Sequence, residues 1–180
     1  MKFIKWLLII IVILAITGFA GFKFMIHQTK KASPEDRVEY NNQDLKLSVF
    51  YCRPSKNDRV IFGELVPFDE VWRTGANEAS TFTTSNDIQF GDEFLKAGTY
   101  TLWTIPQKTQ WTIILNSKQY DWGVNWDGVA SREPEFDVLK INVPTQDLEK
   151  SVEKFTIDFK YNVNMNMSWD KTQVSVPIRF

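Results

Sequence analysis

The chain holds one Cys and one His in 180 residues. A lone Cys excludes an internal disulfide and any multi-cysteine zinc site. A lone His, at position 27, excludes multi-histidine metal centres and leaves almost no room for a His-based triad or dyad. The sequence contains no HExxH zinc motif and no DxDxDG calcium loop. It also lacks internal repeats, low-complexity tracts and long acidic blocks. Helical periodicity is missing after residue 30, so strands do not alternate with helices and a doubly wound nucleotide fold is excluded. No cofactor and no metal is expected.

Acid is missing from the first 32 residues, which carry Lys2, Lys5, Lys23, Lys30 and Lys31. The other 148 residues hold 16 of the 21 Lys and Arg against all 22 Asp and Glu, a net charge of −6. A domain of that sign without a basic cluster does not suit nucleic acid, where affinity rests on neutralising phosphates. What the first segment has is WLLIIIVILAITGFAGF, an uncharged run over residues 6–22. As a helix it spans roughly 25 Å, and extension to Ile26 adds a turn. Lys2 and Lys5 precede it, which favours an inside N-terminus and a body outside the cytoplasm, although Lys23, Lys30 and Lys31 weaken that signal. The expectation is membrane attachment through residues 6–26, with the body outside the cytoplasm. The alternative is a cleaved signal, with Gly18 and Ala20 before the cut and a soluble periplasmic product.

Residues 1–26 thus read as anchor or signal, 27–42 as a polar tether with a Ser-Pro, and 43–180 as one domain. That domain has a period of two. Leu45, Leu47, Val49 and Tyr51 alternate with Lys46, Ser48, Phe50 and Cys52, and Phe155, Ile157, Phe159, Tyr161 and Val163 alternate with Thr156, Asp158, Lys160 and Asn162. Met165, Met167 and Trp169, then Val174, Val176 and Ile178, continue the pattern. TYTLWTI and WTIILN flank PQKTQ as a hairpin, and STFTTS and DIQF add short strands. In FDVLKINV the phase slips by one between Val138 and Leu139, which predicts a bulge. TQDLEKSV predicts a helical turn or two. About nine strands with short turns predict an all-β antiparallel sandwich, with an open barrel as the alternative.

Aromatics are abundant, with seven Trp, fourteen Phe and five Tyr. Trp103, Trp111 and Trp169 fall in strand patterns and are expected in the core. Trp122 and Trp126 fall in YDWGVNWDG, a loop that either caps the core or stacks on sugar rings. The densest mixture of chemistry is GELVPFDEVWRTGANEAS, residues 63–80, with Arg53 and Arg59 just upstream. Trp72, Arg73, Thr74, Asn77 and Glu78 bring an aromatic face, a guanidinium, a hydroxyl, an amide and a carboxylate within seven positions. In a structural account Arg73 pairs with Glu78, Asn77 ties a turn and Trp72 packs as a lid. In a functional account the same groups line a pocket.

YCRPSKNDRVIFGELVPFDEVWRTGANEASTF, LKAGTYTLWTIP, WTIILN and WDKTQVSVPI resemble the bacterial domain of unknown function family 2911, over about residues 33–180. The resemblance implies an extracytoplasmic β-rich domain behind a signal sequence and implies no activity. Cys52 stands where that family usually has Ser, residues 125–134 match weakly, and the apolar N-terminus is longer than a typical member's signal.

Little catalytic chemistry is left. Cys52 has no His partner to make a thiolate and reads as a small buried side chain. Glu78 with Asp69 or Glu70 is the one carboxylate pairing that suggests a glycosidase-like hydrolase. Asp121, Asp127 and Asp137 fit no known cation loop. The candidate ligand-binding residues are therefore Arg53, Trp72, Arg73, Thr74, Asn77, Glu78, Trp122 and Trp126, with no catalytic residue assigned. The expected role is a membrane-tethered module for a glycan or cell-wall ligand. The alternatives are a Glu78 hydrolase and a purely structural envelope protein.

Overall fold

A computed structural model describes residues 2–160 and 163–180. The chain divides into two units, residues 1–32 and 33–180. The first is helix α1, Lys2–Ala32. Its stretch Phe3–Ala32 has a mean hydropathy of 2.5 over its most apolar window and is long and apolar enough to cross a membrane. The helix stops where Pro34 disfavours helical backbone at Ser33.

The second unit is all-β. Its strands are β1 (Glu35–Asn41), β2 (Lys46–Cys52), β3 (Thr81–Thr84), β4 (Ile88–Phe90), β5 (Glu93–Leu95), β6 (Gly98–Pro106), β7 (Gln110–Asn116), β8 (Asp137–Lys160) and β9 (Asn164–Arg179). They form one sheet in the order β1-β2-β3-β6-β7-β8-β9-β4-β5. Every neighbouring pair is antiparallel. Among the described residues β1 and β5, at the two ends of that order, do not pair, so the sheet stays open rather than closing as a barrel.

Strand β8 folds the sheet over. Its first third, Asp137 to Pro144, pairs with β7, and Thr145 to Lys160 pairs with β9. The register breaks between Asp147 and Val152 and again between Val152 and Thr156. Extra residues on one strand bend it and raise its twist. Opposite the break, Asp170 of β9 takes a left-handed φ of 50°. The Lys56 ammonium and the Ser151 hydroxyl hold its carboxylate, at 2.6 and 2.7 Å.

The fold-over brings β2 and β3 against β8, β9 and β4. The Tyr51 ring meets Phe155 edge-on at 5.7 Å, and its hydroxyl accepts the Ile157 N–H at 2.9 Å. Phe82 meets Phe90 at 5.1 Å. Leu47, Val49, Leu102, Ile113, Leu115, Met165, Met167, Val174 and Val176 fill the space between. The inward rows are the alternating residues read from sequence, because a period of two puts every second side chain on one face.

Three expectations meet the structure differently or fall outside it. Residues 27–42 are not a polar tether: 27–32 continue α1 and Glu35–Asn41 form β1. Val38 and Tyr40 supply the half-buried row that pairs with Val49 and Leu47. TQDLEKSV is strand, not helix, since pairing of Thr145, Gln146 and Asp147 with β9 overrides local propensity. Tyr161 lies outside the described residues. The bulge at Val138 is present: Leu115 faces Leu139, whereas Asn116 faces Asp137.

Candidate functional site

Residues 63–80 form a loop that is tied to the sheet along its length. Trp72 exchanges backbone hydrogen bonds with Thr104 of β6, at 2.7 and 2.9 Å. That bridge turns its indole into the core, where it stacks on Trp169 at 5.9 Å and meets Phe155 and Trp111 edge-on at 4.9 and 6.1 Å. Its Nε1–H donates to the Gly75 carbonyl at 3.0 Å. Thr74 is fully buried with a left-handed φ of 56°. Its hydroxyl meets the Thr104 hydroxyl at 3.2 Å, and its carbonyl accepts the Ser80 hydroxyl at 2.8 Å. Gly75 passes so close to β2 that a Cβ there would lie 2.9 Å from the Cys52 carbonyl oxygen. Asn77, also left-handed at 56°, donates from Nδ2 to the Ser33 carbonyl at 3.1 Å. Asn tolerates that backbone better than most residues.

The same loop covers a second buried compartment, on the outer face of the sheet. In β6, Tyr100 and Leu102 point into the central core; in β7, Ile113 and Leu115 do. Trp103 and Ile114, paired across these strands, therefore point the other way, yet both are fully buried. Cys52, next to the inward-facing Tyr51 at the end of β2, also points to the outer face and is fully buried. Tyr120 sits edge-on to Trp103 at 5.3 Å. The Cys52 thiol donates to Glu78 Oε2 at 3.2 Å. Burial, reinforced by that carboxylate, pushes the thiol up to about 12. Burial also draws the Arg73 guanidinium below its ordinary value, against the favourable charge of Glu78.

The roof of the compartment comes from YDWGVNWDG. Arg73 Nη1 donates to the Trp122 carbonyl at 2.9 Å, and the Ala79 N–H donates to the Asp121 carbonyl at 3.1 Å. Gly123, left-handed at 74°, nests where a Cβ would sit 3.2 Å from both the Arg73 and Ala79 Cβ atoms. Beyond it the chain forms a short finger. Val124 bridges to Ala130. Asn125 donates its N–H to the Val129 carbonyl at 2.9 Å, and its side-chain oxygen accepts the Asp127 and Val129 N–H groups at 3.0 and 2.9 Å. Trp126, at the tip, is 100% exposed.

The candidate residues are thus sorted by place. Arg73, Thr74, Asn77 and Glu78 gather around the end of β2 with the backbone of Trp122. Trp72 faces the core from the other side. Arg53 belongs to the β1–β2–β8 junction, bonded to Asp36 at 3.2 Å, the Phe155 carbonyl at 3.1 Å and the Thr156 hydroxyl at 2.8 Å. Trp126 stands apart in solvent. Asp69 sits at the β6–β7 turn, its carboxylate accepting Gln107 Nε2 at 2.6 Å. Among the described residues no three His, Cys, Asp or Glu side chains are grouped to hold a metal. The Cys52–Glu78 contact joins residues 26 apart, and no local spacing signals it.

These features define a class: an all-β domain behind an apolar N-terminal helix, with its polar corner bonded into the fold. The chain belongs to the family described as protein of unknown function (DUF2911), whose profile matches residues 33–178. That match begins at Ser33, where the β unit begins. No curated protein and no solved structure matches the chain.

Proposed function

We propose that this protein is a membrane-tethered, extracytoplasmic binding domain that engages an envelope glycan through the finger bearing Trp126, without chemistry of its own. The observation that carries the reading is a fully exposed indole at the tip of a hydrogen-bonded turn. Trp offers a large rigid apolar face with one polar handle, which suits the C–H faces of a sugar ring. Asp127, beside it in the sequence, adds a carboxylate able to accept sugar hydroxyls. Support for the tether is the length and hydropathy of α1. Support for a non-catalytic role is that Arg73, Thr74 and Trp72 make internal bonds.

The test uses the full chain in detergent micelles. Soluble N-acetylglucosamine oligomers and sedimented peptidoglycan serve as probes, with wild type, Trp126→Ala and Lys108→Ala compared. The reading expects binding by wild type and Lys108→Ala, and at least a tenfold loss in Trp126→Ala, the scale of one stacking aromatic. Absence of wild-type binding to either probe, or undiminished binding by Trp126→Ala, overturns it. The intact mass of the mature protein in cells separates anchor from cleaved signal, since cleavage removes about twenty residues.

A further inference from the structure

The finger has two sets of bonds, and they do different work. Those within it fix its shape: Asn125 with Asp127 and Val129, and the Gly128 N–H to the Asn125 carbonyl at 3.1 Å. None of these fixes where the finger points. Direction is set at the root, where the chain leaves the body. On the C-terminal side the Ser131 N–H donates to the Gly123 carbonyl at 3.0 Å, and the stem beyond it is tied to the body by the Arg132–Asp137 ion pair and by the Glu133 N–H, which donates to the Tyr120 hydroxyl at 3.0 Å. On the N-terminal side Asp121 is held by the Ala79 N–H, and Gly123 packs against Ala79 and Arg73. The Trp122 carbonyl is held by a side chain, the Arg73 guanidinium.

We propose that Arg73 is a positioning residue for the finger: it fixes the peptide between Trp122 and Gly123 and thereby aims Trp126 at the ligand. This rests on the reading of Trp126 as the binding residue. The guanidinium suits the task because it is half-buried, has the Glu78 carboxylate as a favourable charge and offers donors in a rigid plane. Gly123 completes the device, since its left-handed backbone disfavours any side chain and a Cβ there would crowd the Arg73 and Ala79 Cβ atoms at 3.2 Å. The corner at residues 72–79 and the loop at 120–130 then act as one unit, in which the buried half sets the geometry of the exposed half.

Native-state hydrogen exchange on the full chain in micelles, with Arg73→Ala and binding of N-acetylglucosamine oligomers measured in parallel, tests this. The expected result is at least about tenfold faster exchange at the Ala79 and Ser131 amides, which bond across the root. The Ile113 and Leu115 amides of β7 stay unchanged, and affinity falls by at least about tenfold, the scale of a lost charge-assisted bond. Unchanged root amides overturn the proposal. So do β7 amides that accelerate together with the root, because that pattern belongs to a residue that only stabilises the fold. If Arg73→Ala does not fold, Arg73→Lys keeps a cation beside Glu78 without the planar fork, and the same pattern is expected at about threefold. If wild type binds no oligomer, the glycan reading fails, while the exchange pattern still decides whether Arg73 holds the root.

Discussion

Two segments of this chain look alike in sequence and differ in the structure. Residues 63–80 and 120–128 both combine Trp, Gly, Asn and acid, and both read as a lid or a ligand surface. In the first, Trp72 is packed among Trp111, Phe155 and Trp169, and its indole N–H is bonded. In the second, Trp126 touches only solvent while Trp122 is held at the root. Composition therefore locates polar, aromatic corners but does not say which are buried. What separates them is long-range pairing: Trp72 has Thr104 of β6 as a backbone partner, whereas the partners of Trp126's turn lie within four residues of one another.

Replacing the same residue type at the two places is the sharpest way to break that comparison. Trp72→Ala is expected to cost about 3–5 kcal/mol, the range for a large aromatic removed from a packed core. Chemical denaturation of the full chain in micelles measures it, and a loss under 1 kcal/mol would mean that the stacked geometry does not stabilise the fold. Next in size is Gly75→Ala. Its Cβ would sit 2.9 Å from a backbone carbonyl of β2, which cannot rotate away, so a loss of about 1–3 kcal/mol is expected. Gly128→Ala is the contrast within the finger, because a Cβ there meets nothing within 4 Å and only the left-handed φ of 79° resists it. It is expected to cost about 1 kcal/mol.

The legible parts of this fold are those where one face is apolar. Leu47, Val49 and Tyr51 of β2, Phe155 and Ile157 of β8, and Val174, Val176 and Ile178 of β9 announce themselves by alternation. The β6–β7 hairpin and the Val138 bulge follow from the same rule. Strand β1 is hidden because its inward row, Asp36, Val38 and Tyr40, is only half-buried and mixes a charge with apolar residues. The middle of β8 is hidden because its register is broken and its residues there are mostly exposed, so no apolar row marks a face. At the site, Trp103 was legible as buried, but its direction was not. A strand buried on both faces gives no alternation, and the outer compartment depends on a roof 17–20 residues away in sequence.

That compartment makes a smaller, pH-dependent prediction. The Cys52 thiol is held near 12, above its ordinary 9.0, mainly by burial and then by Glu78. A raised folded-state value means that the folded protein keeps the proton while the unfolded chain releases it. The contribution is thus complete below pH 9 and is lost as pH rises towards 12. Tyr51, raised from 10.0 to about 12 chiefly by burial, adds to the fall in the upper part of that window. Cys52→Ser keeps a hydroxyl donor for Glu78 and removes the thiol titration. Stability of this variant is expected to decline less steeply between pH 9 and 10, where the unfolded thiol ionises ahead of the Tyr51 phenol and Tyr51 contributes equally to both proteins. Identical slopes in that interval would place the thiol in contact with water.

The smallest expected effect is the most telling one. Trp126→Ala removes as large a side chain as Trp72→Ala does, yet from a position with no contacts to lose. The turn around it is held by the Asn125 side chain and by backbone bonds, none of which passes through the indole. Stability is therefore expected to stay within about 0.5 kcal/mol of wild type, as at other exposed sites. A loss above 1 kcal/mol would show that the tip packs against the body in solution, and the finger would then be a lid like the corner at 72–79. Unchanged stability leaves an aromatic held in water by a fold that gains nothing from it. An indole in that position lowers free energy only when something outside the chain covers it.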